Sequence, residues 1–160
     1  MKKYLQKKLN NEKGMTLIEL LAVIVIIAII AAIAIPAIGT IIENSRNGAV
    51  KADYQNALSA ANIYFTENPG PDGTTTVSVE TLAGGGATTS YLEDQGSLEN
   101  DVTITKQAAG NTVSGEAIAS GDTYEVTGLT NSQLSDIPNA NFNTDQVMDS
   151  VYVASLTSAE

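Results

Sequence analysis

Cysteine and histidine are both missing from this 160-residue chain. Thiolate or imidazole metal sites, nucleophile–histidine pairs and a disulfide framework are therefore excluded. The side chains left for chemistry are carboxylates and amides. Glu93 with Asp94, or Glu99 with Asp101, are close enough in sequence to pair, as general acid/base work requires. The acids are spread evenly over loops, however, which reads as a solvated surface. No catalytic residue is assigned, and the chain is not read as an enzyme. Asp136, Asn139, Asn141, Asn143 and Asp145 offer oxygen ligands at short spacing, a donor set suited to Ca²⁺. They do not follow the helix–loop–helix calcium pattern, so a turn-rich loop is the expectation, with no metal and no cofactor. Ala83-Gly84-Gly85-Gly86-Ala87 lacks the following Gly-Lys-Ser/Thr of a phosphate loop and reads as a flexible loop.

One carboxylate stands apart. Glu19 lies at the edge of an apolar run, Leu20 to Ile42, that holds no charge and is interrupted only by Pro36, Gly39 and Thr40. As a helix its 23 residues span roughly 35 Å, enough to cross a bilayer core of about 30 Å. Lys2, Lys3, Lys7, Lys8 and Lys13 precede it and should hold that side in the cytoplasm. A single-pass anchor with its C-terminus outside follows. Glu19 is then either hydrated at headgroup level or an intramembrane acid kept for a partner, which costs up to about 3 kcal/mol at a helix centre. Residue physics leaves both readings open.

The string Lys13-Gly14-Met15-Thr16-Leu17-Ile18-Glu19 resembles the processing site of type IV prepilins and pseudopilins. The resemblance is specific from Lys13 to Ile42 and only architectural beyond Phe65. It implies peptidase cleavage between Gly14 and Met15, N-methylation of Met15, and a role for Glu19 in assembly. Pro36 falls where these proteins bend their helix, and a proline also removes a backbone donor. Many pilins have Phe where this chain has Met15. They also commonly staple the C-terminal region with a disulfide, which cannot form here. An ordinary secretory signal is the competing reading, with Ala32-Ile33-Ala34 as its cleavage site. It is disfavoured because the run from Leu20 to Ile35 already reaches the upper limit of such signals, and because it leaves Gly14 and Glu19 unexplained.

The elements that would carry these residues follow from patterning. Residues 1–14 read as a leader, 15–42 as the hydrophobic half of a long helix, and 43–160 as a soluble body. Within the body, 43–66 is an amphipathic helix half, 67–100 a connecting region and 101–160 a sheet with a C-terminal region. Ile42, Ala49, Val50, Ala57, Ala61 and Tyr64 recur at helical spacing, and Asn68-Pro69-Gly70-Pro71 stops the helix near Phe65. Thr74–Glu80, Asp101–Thr105, Thr112–Ile118 and Thr123–Thr127 read as strands of an antiparallel meander, with Val151–Ala154 as a last strand. Leu129 to Met148 reads as loop, anchored by Ile137 and Phe142. Ala57, Ala61, Val102, Ile104, Tyr124 and Val126 are expected to face inward. The fold class is α+β, a long N-terminal helix on a small antiparallel sheet, which is also the pilin architecture.

Formal charge is −10, and removing 1–14 leaves three cations against seventeen acids, a net of −14. So acidic a body is not expected to bind nucleic acid directly. The resemblance implies a structural subunit of a type IV pilus, serving adhesion, motility or DNA uptake. Its alternatives are a minor pilin or secretion pseudopilin, or a membrane-anchored binding module that does not polymerise. Implied partners are copies of itself in a helical homopolymer, the prepilin peptidase/N-methyltransferase, and the pilus assembly platform with its ATPase. The chain would sit in the cell membrane before assembly and in an extracellular pilus afterwards. Intact-mass and N-terminal peptide spectra of the mature protein should show a methylated start at Met15; a start near Ile35 would establish an ordinary secretory signal instead.

Overall fold

A computed structural model of the chain describes residues 17–85, 89–144 and 146–158. Gly14, Met15 and the basic residues before them lie outside those ranges, as do Gly86, Ala87 and Asp145. The chain divides into two compact units, with the boundary between Ile41 and Ile42. Helix α1 (Leu17–Glu67) provides all the described residues of the first unit and opens the second.

In the first unit every Leu, Ile and Val from Leu17 onward is exposed. A helix is the conformation such a segment requires in lipid, because its backbone groups bond to one another and not to water. The helix runs unbroken through Pro36. Proline has no N–H, so the Ala32 carbonyl lacks its helical donor, while the Thr40 hydroxyl donates to the Pro36 carbonyl at 3.3 Å.

The second unit is built on the face of α1 formed by Asn47, Val50, Tyr54, Ala57, Leu58, Ala61 and Phe65, all buried. This face contains Val50, Ala57 and Ala61 as the periodicity predicts, but Ile42 and Ala49 are exposed and Tyr64 only half-buried. The stripe is centred on Tyr54, whose ring packs edge-on to Phe142, and that centre turns Ala49 outward. The helix ends at Glu67, two residues past the expected Phe65. Asn68 satisfies its last turn by donating to the Tyr64 carbonyl from both backbone and side chain.

Four strands follow, β1 (Thr76–Ser78), β2 (Thr103–Thr105), β3 (Thr112–Ala119) and β4 (Asp122–Thr130), antiparallel and adjacent in chain order. Val77, Ile104, Val113, Ala117, Tyr124, Val126 and Leu129 point inward from the sheet, and all are buried. Val102, just before β2, is buried with them, so the six residues expected to face inward do so. The Ser120-Gly121 turn has positive φ at both positions (57° and 92°), the primed geometry that matches the twist of a two-residue hairpin.

Three elements differ from the patterning. Thr74–Glu80 is a strand only at Thr76–Ser78. Ser78 then caps a short helix, α2 (Val79–Leu82), its Oγ accepting from the Thr81 N–H. The region from Leu129 to Met148 is not a loop throughout. Leu129 and Thr130 belong to β4, and α3 (Asn131–Asp136) follows at once. Thr130 and Gln133 form a reciprocal capping box there, a Thr-x-x-Gln signal legible in the sequence. Val151–Ala154 is not a strand but part of α4 (Ser150–Thr157), started by Asp149, whose carboxylate accepts from the Tyr152 N–H at 2.8 Å. The alternation of Val151-Tyr152-Val153 fits a strand, but the cap prevails, burying Val153 and leaving Val151 72% exposed.

Gly115 is the tightest backbone approach in β3. Its φ is +133°, and a Cβ there would lie 2.8 Å from the Val102 Cα. Gly121 also has positive φ (+92°) but open space around it. Gly115→Ala should therefore combine backbone strain with overpacking and destabilise by about 2–4 kcal/mol, against about 1 kcal/mol for Gly121→Ala. Denaturant unfolding of the detergent-solubilised chain, followed by near-ultraviolet circular dichroism, measures both; equal losses would contradict the close approach.

Candidate functional site

The largest feature that the second unit's packing does not account for is the surface of α1 from Leu17 to Ile42. Burying one Leu, Ile or Val side chain is worth about 1.5–3 kcal/mol, so this set is worth on the order of tens of kcal/mol. Among the described residues, α1 is the one helix long and apolar enough to cross a membrane. Glu19 lies in the first described turn and is exposed, and it is the only charged residue from Leu17 to Ile42. Pro36 lies nearly five turns further along the same helix. The structure thus places Glu19 and Pro36 on one apolar helix; Gly14 and Met15 fall outside the described residues.

The other sequence candidates have structural uses. Asp94 shapes a turn by accepting from the Gly96 N–H at 2.9 Å, while Glu93, Glu99 and Asp101 are exposed. In the Asp/Asn stretch, Asp136 ends α3, and Asn139–Asn141 form a 3₁₀ turn. The Asn139 carbonyl accepts from Asn47 and the Asn141 carbonyl from Tyr152. The backbone carbonyls of two of these residues thus pack the segment against α1 and α4. Among the described residues no three acids group as a metal site would require.

Patterning did not reveal the polar lock between α1 and the sheet. Asn47 is the one buried polar residue among those described. Its Nδ2 donates to the Asn139 carbonyl at 2.9 Å, and its Oδ1 accepts from the Tyr124 hydroxyl at 2.9 Å. Gly48 next to it lets Asn139 approach, since a Cβ would meet the Asn139 amide at 2.7 Å. Tyr54 donates to the Gly115 carbonyl at 2.9 Å, and Tyr124 stacks on Phe142 with centroids 5.9 Å apart. Next to Tyr54 in the chain, Asp53 accepts from both the N–H and the hydroxyl of Ser97, tying the long β1–β2 connection to α1. An Asn-Gly pair inside a helical pattern was the available signal.

All three cations of the body are engaged internally. Arg46 pairs with Asp122 at 3.1 Å, Lys51 donates to the Ile137 carbonyl, and Lys106 donates to the Gly70 carbonyl and faces Asp72 at 3.4 Å. The acidic surface is left without basic relief. Burial pushes the Tyr54 hydroxyl well above the ordinary tyrosine range. The carboxylates of Glu116, Glu125 and Asp101 add to that rise, and the first two are opposed across β3 and β4. Tyr124 is raised by burial and by Asp122, and Tyr91 by its hydrogen bond to Glu67. Each of the three phenols donates a hydrogen bond, Tyr54 to Gly115, Tyr124 to Asn47 and Tyr91 to Glu67.

Residues 9–35 match the prokaryotic N-terminal methylation motif, the class III signal peptide of type IV pilins and pseudopilins. No curated protein and no solved structure matches the chain. The matched stretch begins before the described residues, runs into the apolar segment of α1 and spans Gly14, Met15 and Glu19.

Because the folded pKa of Tyr54 lies above its unfolded value near 10, the folded state holds the proton more tightly. That stabilisation is complete below about pH 10 and is lost as pH rises further. Tyr54→Phe should lower the melting temperature at neutral pH, the loss of one buried hydrogen bond being worth about 1 kcal/mol. It should also flatten the decline between about pH 9.5 and about pH 11.5. Melting curves across that range check both; an unchanged alkaline slope would contradict this role for the hydroxyl.

Proposed function

We propose that this prepilin-type chain is the structural subunit of a type IV pilus. The leader 1–14 is cut between Gly14 and Met15 by the prepilin peptidase, which also methylates Met15. Residues 15–42 hold the subunit in the membrane and later polymerise with copies of themselves, driven by the assembly platform and its ATPase. Residues 43–160 form the soluble body. The observation that carries this reading is the methylation motif running directly into a helical segment, Leu17 to Ile42, whose large apolar side chains are all exposed.

Glu19 is assigned to assembly. After cleavage Met15 has a free amine, still basic when methylated. Packing such helices together takes water from both groups, and an uncompensated buried charge costs several kcal/mol. Pairing Glu19 of one subunit with the Met15 amine of another offsets that cost and fixes the axial register between helices. In a helix that began at Met15 the same two groups, four residues apart, could also meet before assembly. Pro36 supplies a weak point in the helix, with one backbone bond fewer to break.

Glu19→Ala should leave membrane insertion and cleavage intact and abolish or strongly reduce filaments. Glu19→Gln, which keeps the shape and loses the charge, should also be impaired. Immunoelectron microscopy at matched subunit levels reads the outcome. Normal fibres in Glu19→Ala cells would refute the charge pair, and recovery of all of the wild-type chain in the membrane fraction would refute polymerisation itself.

A further inference from the structure

The body carries a cleft of about 220 Å³ between the C-terminal half of α1, the turn joining β2 to β3, and the junction of β4 with α3. Its floor is Leu58, and its walls include Asn62, Gly110, Asn111, Asn131 and Ser132. On a body with a net charge of −14 after processing, a cleft without a charged side chain is unusual. Part of the wall is fixed. Asn111 donates to Asn62 Oδ1 at 2.6 Å and accepts from the Gln107 N–H at 3.1 Å. The remaining groups are unspent, since Asn62 Nδ2 and the side chains of Asn131 and Ser132 make no hydrogen bond among the described residues.

From this cleft we infer a binding site for one neutral sugar ring. A carboxamide offers donor and acceptor side by side, as does a pair of neighbouring ring hydroxyls, and a serine hydroxyl can act as either. Leu58 and Ala109 supply apolar contact for the C–H face of a ring. No cation is present to neutralise a phosphate or carboxylate, and the surrounding acidic surface repels anions. No carboxylate lines the cleft to hold a metal or an amine. The volume is below the 300–1,000 Å³ or so of pockets for drug-sized ligands, which points to a single ring and not a chain enclosed along its length. With no aromatic side chain to stack on, affinity is in the millimolar range. This site depends on the fold of the body alone and stands whether or not the chain polymerises.

Saturation-transfer NMR on the mature full chain in dodecylphosphocholine micelles, a detergent without sugar, tests the inference. The probes are the methyl glycosides of glucose, galactose, mannose and N-acetylglucosamine, with glucuronate as the anionic control. At least one neutral glycoside should give saturable transfer that falls about tenfold for glucuronate and about tenfold in Asn131→Ala/Ser132→Ala. Both substituted residues are exposed and outside the Thr130–Gln133 capping pair, and an unchanged melting temperature confirms that the variant folds. A second variant, Asn62→Asp, removes the free donors and adds a charge, and should also lose binding. No saturable transfer from any neutral probe, equal transfer to glucuronate, or transfer unchanged in the variants would overturn the site.

Discussion

The dominant physical constraint on this molecule is that residues 17–42 must be kept away from water. The segment is apolar on every side, with Glu19 as its only charge. No part of the second unit is needed to explain its helix, because composition and the demand for internal backbone bonding suffice. Under the proposed function the segment has two environments in turn, lipid before assembly and other copies of the same helix in the filament. Neither surrounding would accept a further charge at small cost, which is why the proposed register role falls to a single acid.

The second unit shows how an acidic domain without cysteine holds together. Its apolar interior joins α1 to the sheet and to the segment after β4, with Phe142, Ile137 and Met148 fully buried. Asn47 ties three parts together through one carboxamide, reaching the Asn139 carbonyl and the Tyr124 hydroxyl from α1. A buried amide satisfied at both ends costs little and penalises any shift of α1 against the sheet. Arg46, Lys51 and Lys106 are spent on similar ties. Arg46 and its partner Asp122 are partly exposed, so their ion pair adds little stability. Its larger consequence is that no cation is left to offset the surface acids.

The long helix was legible because its signals agree. The charge-free run, the amphipathic face and the Asn68-Pro69-Gly70-Pro71 stop all point one way. The meander was legible from alternation and from the Gly121 turn. The C-terminal region misled for a local reason, since Val151-Tyr152-Val153-Ala154 fits both periods and only the Asp149 cap separates them. Thr130-Asn131-Ser132-Gln133 carried a capping box that was outweighed by the polar, turn-like composition around it. Of the site, Glu19 and Pro36 were marked by their contrast with apolar neighbours. The Asn47–Tyr124 pairing left only the Asn47-Gly48 pair as a hint, because a contact 77 residues apart leaves no periodic trace.

The central claim is that residues 17–42 are covered by other copies of the same segment. Helical reconstruction by electron cryomicroscopy of filaments sheared from cells that make this chain tests it most directly. The account predicts filaments built from this chain, with Leu17 to Ile42 buried against neighbouring helices and Glu19 adjacent to a Met15 amine. Filaments that lack the chain, or that contain it with this segment facing solvent, would contradict the account.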